Sequence, residues 1–154
     1  HKKSENYCKV NNPENHRRKT IRLQGFDYSH PGGYFITTNL QNRSRILSSI
    51  VDDQVLLSDL GLIVVDVYTH LPDHYPQIEI DEFVVMPDHF HGIIILHENE
   101  KPYSISEIVR GFKTFSAKKI NILLGKTDHT FWQRNYYEHV IRDDFDLNRV
   151  RDYI

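Results

Sequence analysis

The sequence predicts an α+β domain in which four antiparallel strands carry two helices on one face, followed by a C-terminal helix. Three observations lead to this. Apolar runs are short, and one of them, Gly92-Ile93-Ile94-Ile95-Leu96, is strand-sized. Two other stretches repeat their apolar residues every three or four positions, as a helix does. Pro, Gly and Asp punctuate the boundaries between them. A chain of 154 residues, 39% hydrophobic and 26% charged, suits one globular domain with enough core to need no staple. The single cysteine, Cys8, excludes an internal disulfide or a cysteine-based zinc site and suits a cytoplasmic setting. No apolar run approaches a membrane-spanning length. The polar start His1-Lys2-Lys3-Ser4 has no signal-peptide core.

Residues 1–20 are polar and without periodicity, so they read as a flexible basic arm, and residues 21–154 read as a single domain. After the turn His30-Pro31-Gly32-Gly33, the aromatic and β-branched stretch Tyr34–Asn39 reads as the first strand. A helix is expected next. Ser48 or Ser49 would cap it, Asp52 and Asp53 would sit at its positive end, and Leu56, Leu60, Ile63, Val64 and Val67 would line its inner face. Leu71-Pro72-Asp73 would end it. The second strand would carry Ile78, Ile80, Glu82, Val84 and Met86 on one side, with Phe83 and Val85 on the other. Pro87-Asp88 then turns the chain into a third strand, His89 to about His97. Apolar on both faces, that strand should be central.

Ser104-Ile105-Ser106-Glu107 is a capping box. It opens a helix with Ile105, Ile108, Val109, Phe112, Phe115, Ile120 and Leu123 inside, and Gly125 can close it. Tyr136 to Arg142 reads as a fourth strand. Asp143 or Asp144 caps the last helix, where Leu147, Val150 and Ile154 share a face. Without that helix the order β-α-β-β-α-β is the split arrangement of ferredoxin-like folds, with one sheet face left for a site.

The net charge of -2 hides a strong asymmetry. From Ile46 to Glu100 there are eleven acids and no Lys or Arg. From Lys2 to Arg22 there are seven cations against two acids, and from Lys101 to Lys126 six against one. Basic stretches of this kind either form solvated surface or build a positive face along a phosphate backbone. The candidates for such a face are Arg17, Arg18, Lys19, Arg22, Arg43, Arg45, Lys113, Lys118 and Lys119.

The chemistry centres on His89-Phe90-His91. Histidines at i and i+2 of a strand point to the same side, where two imidazoles can converge on one metal ion. Phe90 points the other way and can anchor the strand, while Ile93 and Ile95 continue the histidine face as rigid support. The alternative is a partly exposed pair packed under a helix. The sequence has no glycine-rich phosphate loop and no nucleophile elbow, but it has nine tyrosines, and a tyrosine hydroxyl can hold phosphorus covalently.

Met86-Pro87-Asp88-His89-Phe90-His91-Gly92-Ile93 resembles the His-hydrophobic-His motif of HUH single-strand DNA endonucleases. More narrowly it resembles the single-tyrosine transposases, and among them the REP-associated tyrosine transposases. The resemblance runs from about Arg18 to Ile154. It includes Arg18-Lys19-Thr20-Ile21-Arg22-Leu23, Gly33-Tyr34-Phe35-Ile36-Thr37 and Phe131-Trp132-Gln133-Arg134-Asn135-Tyr136-Tyr137-Glu138-His139-Val140-Ile141-Arg142. In Arg151-Asp152-Tyr153-Ile154 it reaches the place of the family's nucleophile.

The resemblance implies that His89 and His91 bind Mg2+ or Mn2+ and that Tyr153 attacks a phosphodiester of single-stranded or hairpin DNA. The products would be a 5′-phosphotyrosine link and a free 3′-hydroxyl. The family's substrates are hairpins of imperfect palindromes, and its members act as monomers or homodimers. It usually takes one more polar metal ligand a turn after the tyrosine. This sequence stops at Ile154, so the expectation is a chain truncated at its C-terminus. Rival readings are a non-catalytic single-stranded nucleic-acid-binding module and a replication initiator or relaxase. Tyr136 and Tyr137 are rival nucleophiles, Tyr153 has an ordinary core reading, and Asp88 and His139 are possible metal neighbours.

Overall fold

A computed structural model describes residues 30–100, 103–127 and 129–154. Among these residues are six strands: β1 (Gly32–Asn39), β2 (Ser48–Val51), β3 (Gln54–Leu57), β4 (Ile78–Val85), β5 (His89–Leu96) and β6 (Tyr137–Ile141). Four helices accompany them: α1 (Asp59–Thr69), the single turn α2 (Leu71–His74), α3 (Ile105–Leu124) and α4 (Asp144–Tyr153). The main sheet has the order β4-β5-β1-β6, every pair antiparallel. This is the expected split topology, and β5 is central as its two apolar faces require.

One face of the sheet meets α1 and α3 across a core that includes Tyr34, Ile36, Val64, Tyr68, Phe90, Ile94, Ile108 and Phe112. Helix α3 has the caps that the sequence offers, whereas α1 is capped by Ser58 and not by Ser48 or Ser49, which lie in β2. The Ser104 hydroxyl accepts from the Glu107 amide and Gly125 ends α3 with φ at +65°. Ser58 caps α1 by accepting from the Gly61 amide. The opposite face carries α4, where Val150 and Tyr153 pack on Phe35 and Ile93. Its cap is Asp143, which accepts from the Asp146 amide at 2.8 Å.

Three expectations are corrected. Residues 48–57 form the β2–β3 hairpin, not the start of a helix. Asp52 and Asp53 are its two-residue turn, both left-handed at φ 50° and 62°, a conformation that Asp tolerates and that matches strand twist. The helix therefore begins only after the whole hairpin, at Asp59, and Leu56 is exposed on β3. Second, β4 does not alternate regularly. Ile80 pairs with Ile94 but Phe83 pairs with Gly92, so Asp81 and Glu82 together stand opposite Ile93, as in a β-bulge. The extra residue inverts the alternation, and Ile78, Ile80, Phe83 and Val85 all join the helix-side core. Third, Leu123 is exposed, as are Ile122 and Leu124 beside it in the last turn of α3.

The first turn of α4 is anchored by a buried carboxylate. Asp146 accepts from the Arg142 amide at 3.1 Å, from Arg149 at 2.6 Å, and hydrogen-bonds His139 Nε2 at 2.9 Å. Burial pushes its carboxyl up, but these partners more than offset that and hold it below the ordinary aspartate value. A carboxyl depressed in the folded state contributes stability that is complete above the unfolded value, about 4, and is lost as pH falls through the lower folded value. The denaturant midpoint of wild type should therefore exceed that of Asp146→Asn at neutral pH. The gap should close below about pH 4. A gap independent of pH would refute this account.

Candidate active site

Strand β5 brings the two histidines to the sheet face that carries α4. Their rings lie 4.6 Å apart between centroids. Register supplies their neighbours: Thr37 stands directly opposite His91, and Asn39 directly opposite His89. Thr37 Oγ1 hydrogen-bonds His91 Nδ1 at 2.8 Å, and His89 Nδ1 donates to Asp88 Oδ1 at 2.6 Å. Asp88 also accepts from Arg43 Nε at 3.0 Å, and Arg43 Nη1 donates to Asn39 at 3.0 Å. Arg43 and the preceding Asn42 both have positive φ, 52° and 59°. That turn is a costly conformation for a side-chain-bearing residue, and it aims the guanidinium back at Asp88.

Electrostatics favour neutral imidazoles. Burial lowers the His91 pKa well below its ordinary value, and the nearby His89 and Arg43 lower it further. Burial also lowers His89, against an opposing pull from Asp88. Burial raises the Asp88 carboxyl, but His89 and Arg43 outweigh it and hold it low.

These residues fit a divalent cation in one specific respect. His89 Nε2 is buried and has no hydrogen-bond partner among the described residues, an arrangement that normally costs free energy. With each Nδ1 engaged, the ligand atom of each ring would be Nε2. Asp88 would then be the carboxylate that orients a ligating histidine, as is usual at metal sites. Among the described residues no group of three or more His, Cys, Asp or Glu side chains is arranged to hold a metal. His139 faces Asp146 and serves α4.

Tyr153 reaches the same place from α4. Its ring lies 5.7 Å from that of His91, and 5.7 Å edge-on from that of Phe35. Phe35 in turn stacks on His91 at 5.3 Å. The sheet thus brings His89, His91 and Tyr153 together from strand and helix. Tyr136 lies on the other face, packed against the main core with its hydroxyl donating to Glu138 at 3.0 Å. Tyr137 stands opposite Thr37 and so shares the histidine face, one strand farther from His91.

The basic candidates separate. Arg43 and Arg45 lie beside the histidines and act on the charge of His89. Lys113 instead donates to the carbonyls of Gln133, Arg134 and Asn135 at 2.7, 3.0 and 3.3 Å, and burial lowers its pKa to about 8. Lys118 and Lys119 line a cleft beside α1, on the helix side of the sheet, where Lys119 pairs with Asp66 at 3.2 Å. Arg17, Arg18, Lys19 and Arg22 lie outside the described residues. Sequence reading missed Thr37 and Asn39 as partners of the histidines. Only cross-strand register reveals them, and no local pattern encodes it.

The chain belongs to the IS200-like transposase family, a family of DNA-processing enzymes; the match to the description "Transposase IS200 like" covers residues 34–154. Within that family it is similar to REP-associated tyrosine transposases. The one from Escherichia coli K12 is 31% identical over 82% of this chain and 66% of its own length. An uncharacterized protein of Haemophilus influenzae is 36% identical over 90% of this chain and 87% of its own. Among solved structures, a REP-associated tyrosine transposase bound to a REP hairpin matches with a TM-score of 0.62 at 25% identity. The match covers 86% of this chain and 70% of the other. No helix among the described residues is long and apolar enough to cross a membrane.

Proposed function

We propose that this chain cuts and rejoins single-stranded DNA at hairpin sequences, with Tyr153 as nucleophile. The observation that carries the reading is the meeting of Tyr153 with His91 on the face where His89 offers a buried, unpartnered Nε2. The hairpin substrate is supported by the likeness to a relative whose structure holds a REP hairpin.

In the reaction the Tyr153 hydroxyl oxygen bonds to phosphorus as the bond from phosphorus to the 3′ oxygen breaks. The phenol loses its proton and the departing 3′ oxygen gains one. The DNA 5′ phosphate remains on the tyrosine as a diester. That link preserves the bond, so a second 3′-hydroxyl reverses the step and joins a new strand without ATP. His89 and His91 would hold Mg2+ or Mn2+. Such an ion supplies Lewis-acid polarisation of the phosphate and stabilises its developing charge. Thr37 and Asp88 fix the two rings, and α4 holds the tyrosine ring against Phe35. Arg43 and Arg45 offer positive charge to the phosphates flanking the cut.

The test mixes the protein with hairpin oligonucleotides copied from repeats flanking its gene, in Mn2+, and resolves the products on a denaturing protein gel. A slower band is expected, absent in Tyr153→Phe and kept in Tyr137→Phe. Both variants should bind the hairpin with wild-type affinity. A band that survives in Tyr153→Phe would remove Tyr153 as nucleophile. A gel shift without any band would favour a binding module that cuts nothing.

A further inference from the structure

Helix α4 is attached to the sheet by a small apolar area. Only Val150 and Tyr153 are buried in its contact with Phe35 and Ile93, and Leu147 and Ile154 are half-buried at the margin. This cluster is separate from the main core. The first turn has Asp146 as its anchor. At the last turn Arg151, two residues before Tyr153, makes a polar tie to the sheet. Arg151 Nε donates to Asp81 Oδ1 at 2.8 Å and Nη2 donates to Oδ2 at 2.6 Å. Such a two-point fork fixes orientation as well as distance.

Asp81 follows Ile80, which faces the helix-side core, so alternation along β4 turns Asp81 toward α4, and the bulge opposite Ile93 then returns Phe83 to the core. The amide of Glu82 donates to Asp81 Oδ1 at 2.8 Å and steadies the carboxylate further. The Asp81 side chain is 17% exposed and that of Arg151 41%. A pair this open adds little to global stability. Its effect is local, on the one turn of helix that carries the tyrosine.

We propose that Asp81 and Arg151 are positioning residues: a latch from the bulge of β4 to the last turn of α4 that keeps Tyr153 against His91. The proposal rests on Tyr153 being the nucleophile. Neither residue touches DNA or the reacting atoms in this account. Both act through the placement of the phenol, where a displacement of about 1 Å is enough to cost a factor of about 100 in rate.

The test uses the full chain as wild type, Arg151→Ala, Asp81→Ala and the reversed pair Asp81→Arg with Arg151→Asp. Three quantities are measured: amide hydrogen exchange across residues 147–153, hairpin affinity, and the rate of covalent adduct formation at saturating hairpin DNA. Each single variant should show faster exchange confined to α4 and affinity within about twofold of wild type. Its saturated rate should be lower by about tenfold or more. The reversed pair should recover a large part of both the exchange protection and the rate. Unchanged exchange in α4 overturns the latch. So does an unchanged saturated rate despite faster exchange, or a reversed pair no better than the singles. A wild-type protein that forms no Tyr153 adduct at all sinks the nucleophile reading, and this proposal with it. A wild-type adduct whose rate the singles leave unaltered sinks the latch alone.

Discussion

Replacing His91 with alanine is expected to abolish the covalent adduct and to weaken Mn2+ binding together. His91 is fully buried, stacked on Phe35, within a ring's reach of both His89 and Tyr153, and fixed at Nδ1 by Thr37. No other group of metal-binding side chains among the described residues stands ready to replace it. Lewis-acid stabilisation of a phosphoryl transition state is worth several kcal/mol, and each 1.4 kcal/mol is tenfold, so the adduct rate should fall by a factor of about 1,000 or more. Calorimetric titration with Mn2+ in the absence of DNA gives a readout independent of activity. A variant that still bound Mn2+ as tightly as wild type would show that His91 is a packing residue. Thr37→Val makes a useful companion. It keeps the imidazole but removes its orienting partner, and loss of such a partner typically costs about 10–100-fold in metal affinity or activity.

Phe90→Ala should produce the largest loss of stability with the least effect on chemistry. Phe90 sits between the two histidines in sequence but on the opposite face. There it is fully buried against Tyr68 at 4.6 Å, Phe112 at 5.0 Å and Phe83 at 6.1 Å between ring centroids. Removing a buried phenyl ring costs about 3–5 kcal/mol, against a typical total of about 5–15 kcal/mol for a domain. Equilibrium unfolding in urea measures the loss. At low temperature, where the variant remains folded, its adduct rate should stay within a few-fold of wild type, because β5 keeps its pairing with β1 and β4. A loss under about 1 kcal/mol would mean that the aromatic cluster refills the space.

Much of this was legible in the sequence, for reasons that are local. Aromatic and β-branched composition gave β1, an apolar run after the Pro87-Asp88 turn gave β5, the serine and glycine caps bounded α3, and the paired Asp143 and Asp144 marked the start of α4. The i, i+2 spacing of the histidines alone fixed that they share a face. Misread segments were those where two local signals compete. Ser48 to Leu57 holds capping-type serines and paired acids, which read as a helix start. The same acids make a left-handed turn between β-branched residues, and the tertiary setting selects that alternative. The β4 bulge left no local trace, since its cause is the need to keep Phe83 and Val85 in the core while Asp81 faces α4. What held the histidines was equally hidden. Thr37 lies far from His91 along the chain, and Arg43 reaches Asp88 only through an unusual backbone turn. The family resemblance, not the pattern of residues, singled out Tyr153 among nine tyrosines.

The connectivity of β1 also bears on how the protein is made. This early strand lies between β5 and β6, so Thr37 waits first for His91 and then for Tyr137. Contacts so distant in sequence form slowly, and during synthesis they cannot form before their partners have left the ribosome. The histidine strand can therefore settle against β1 while α4 is still unmade. Tyr153, near the end of the sequence, arrives last, on a face whose other members are already in place. On this order of assembly a nascent chain acquires its histidine face before Tyr153 reaches it.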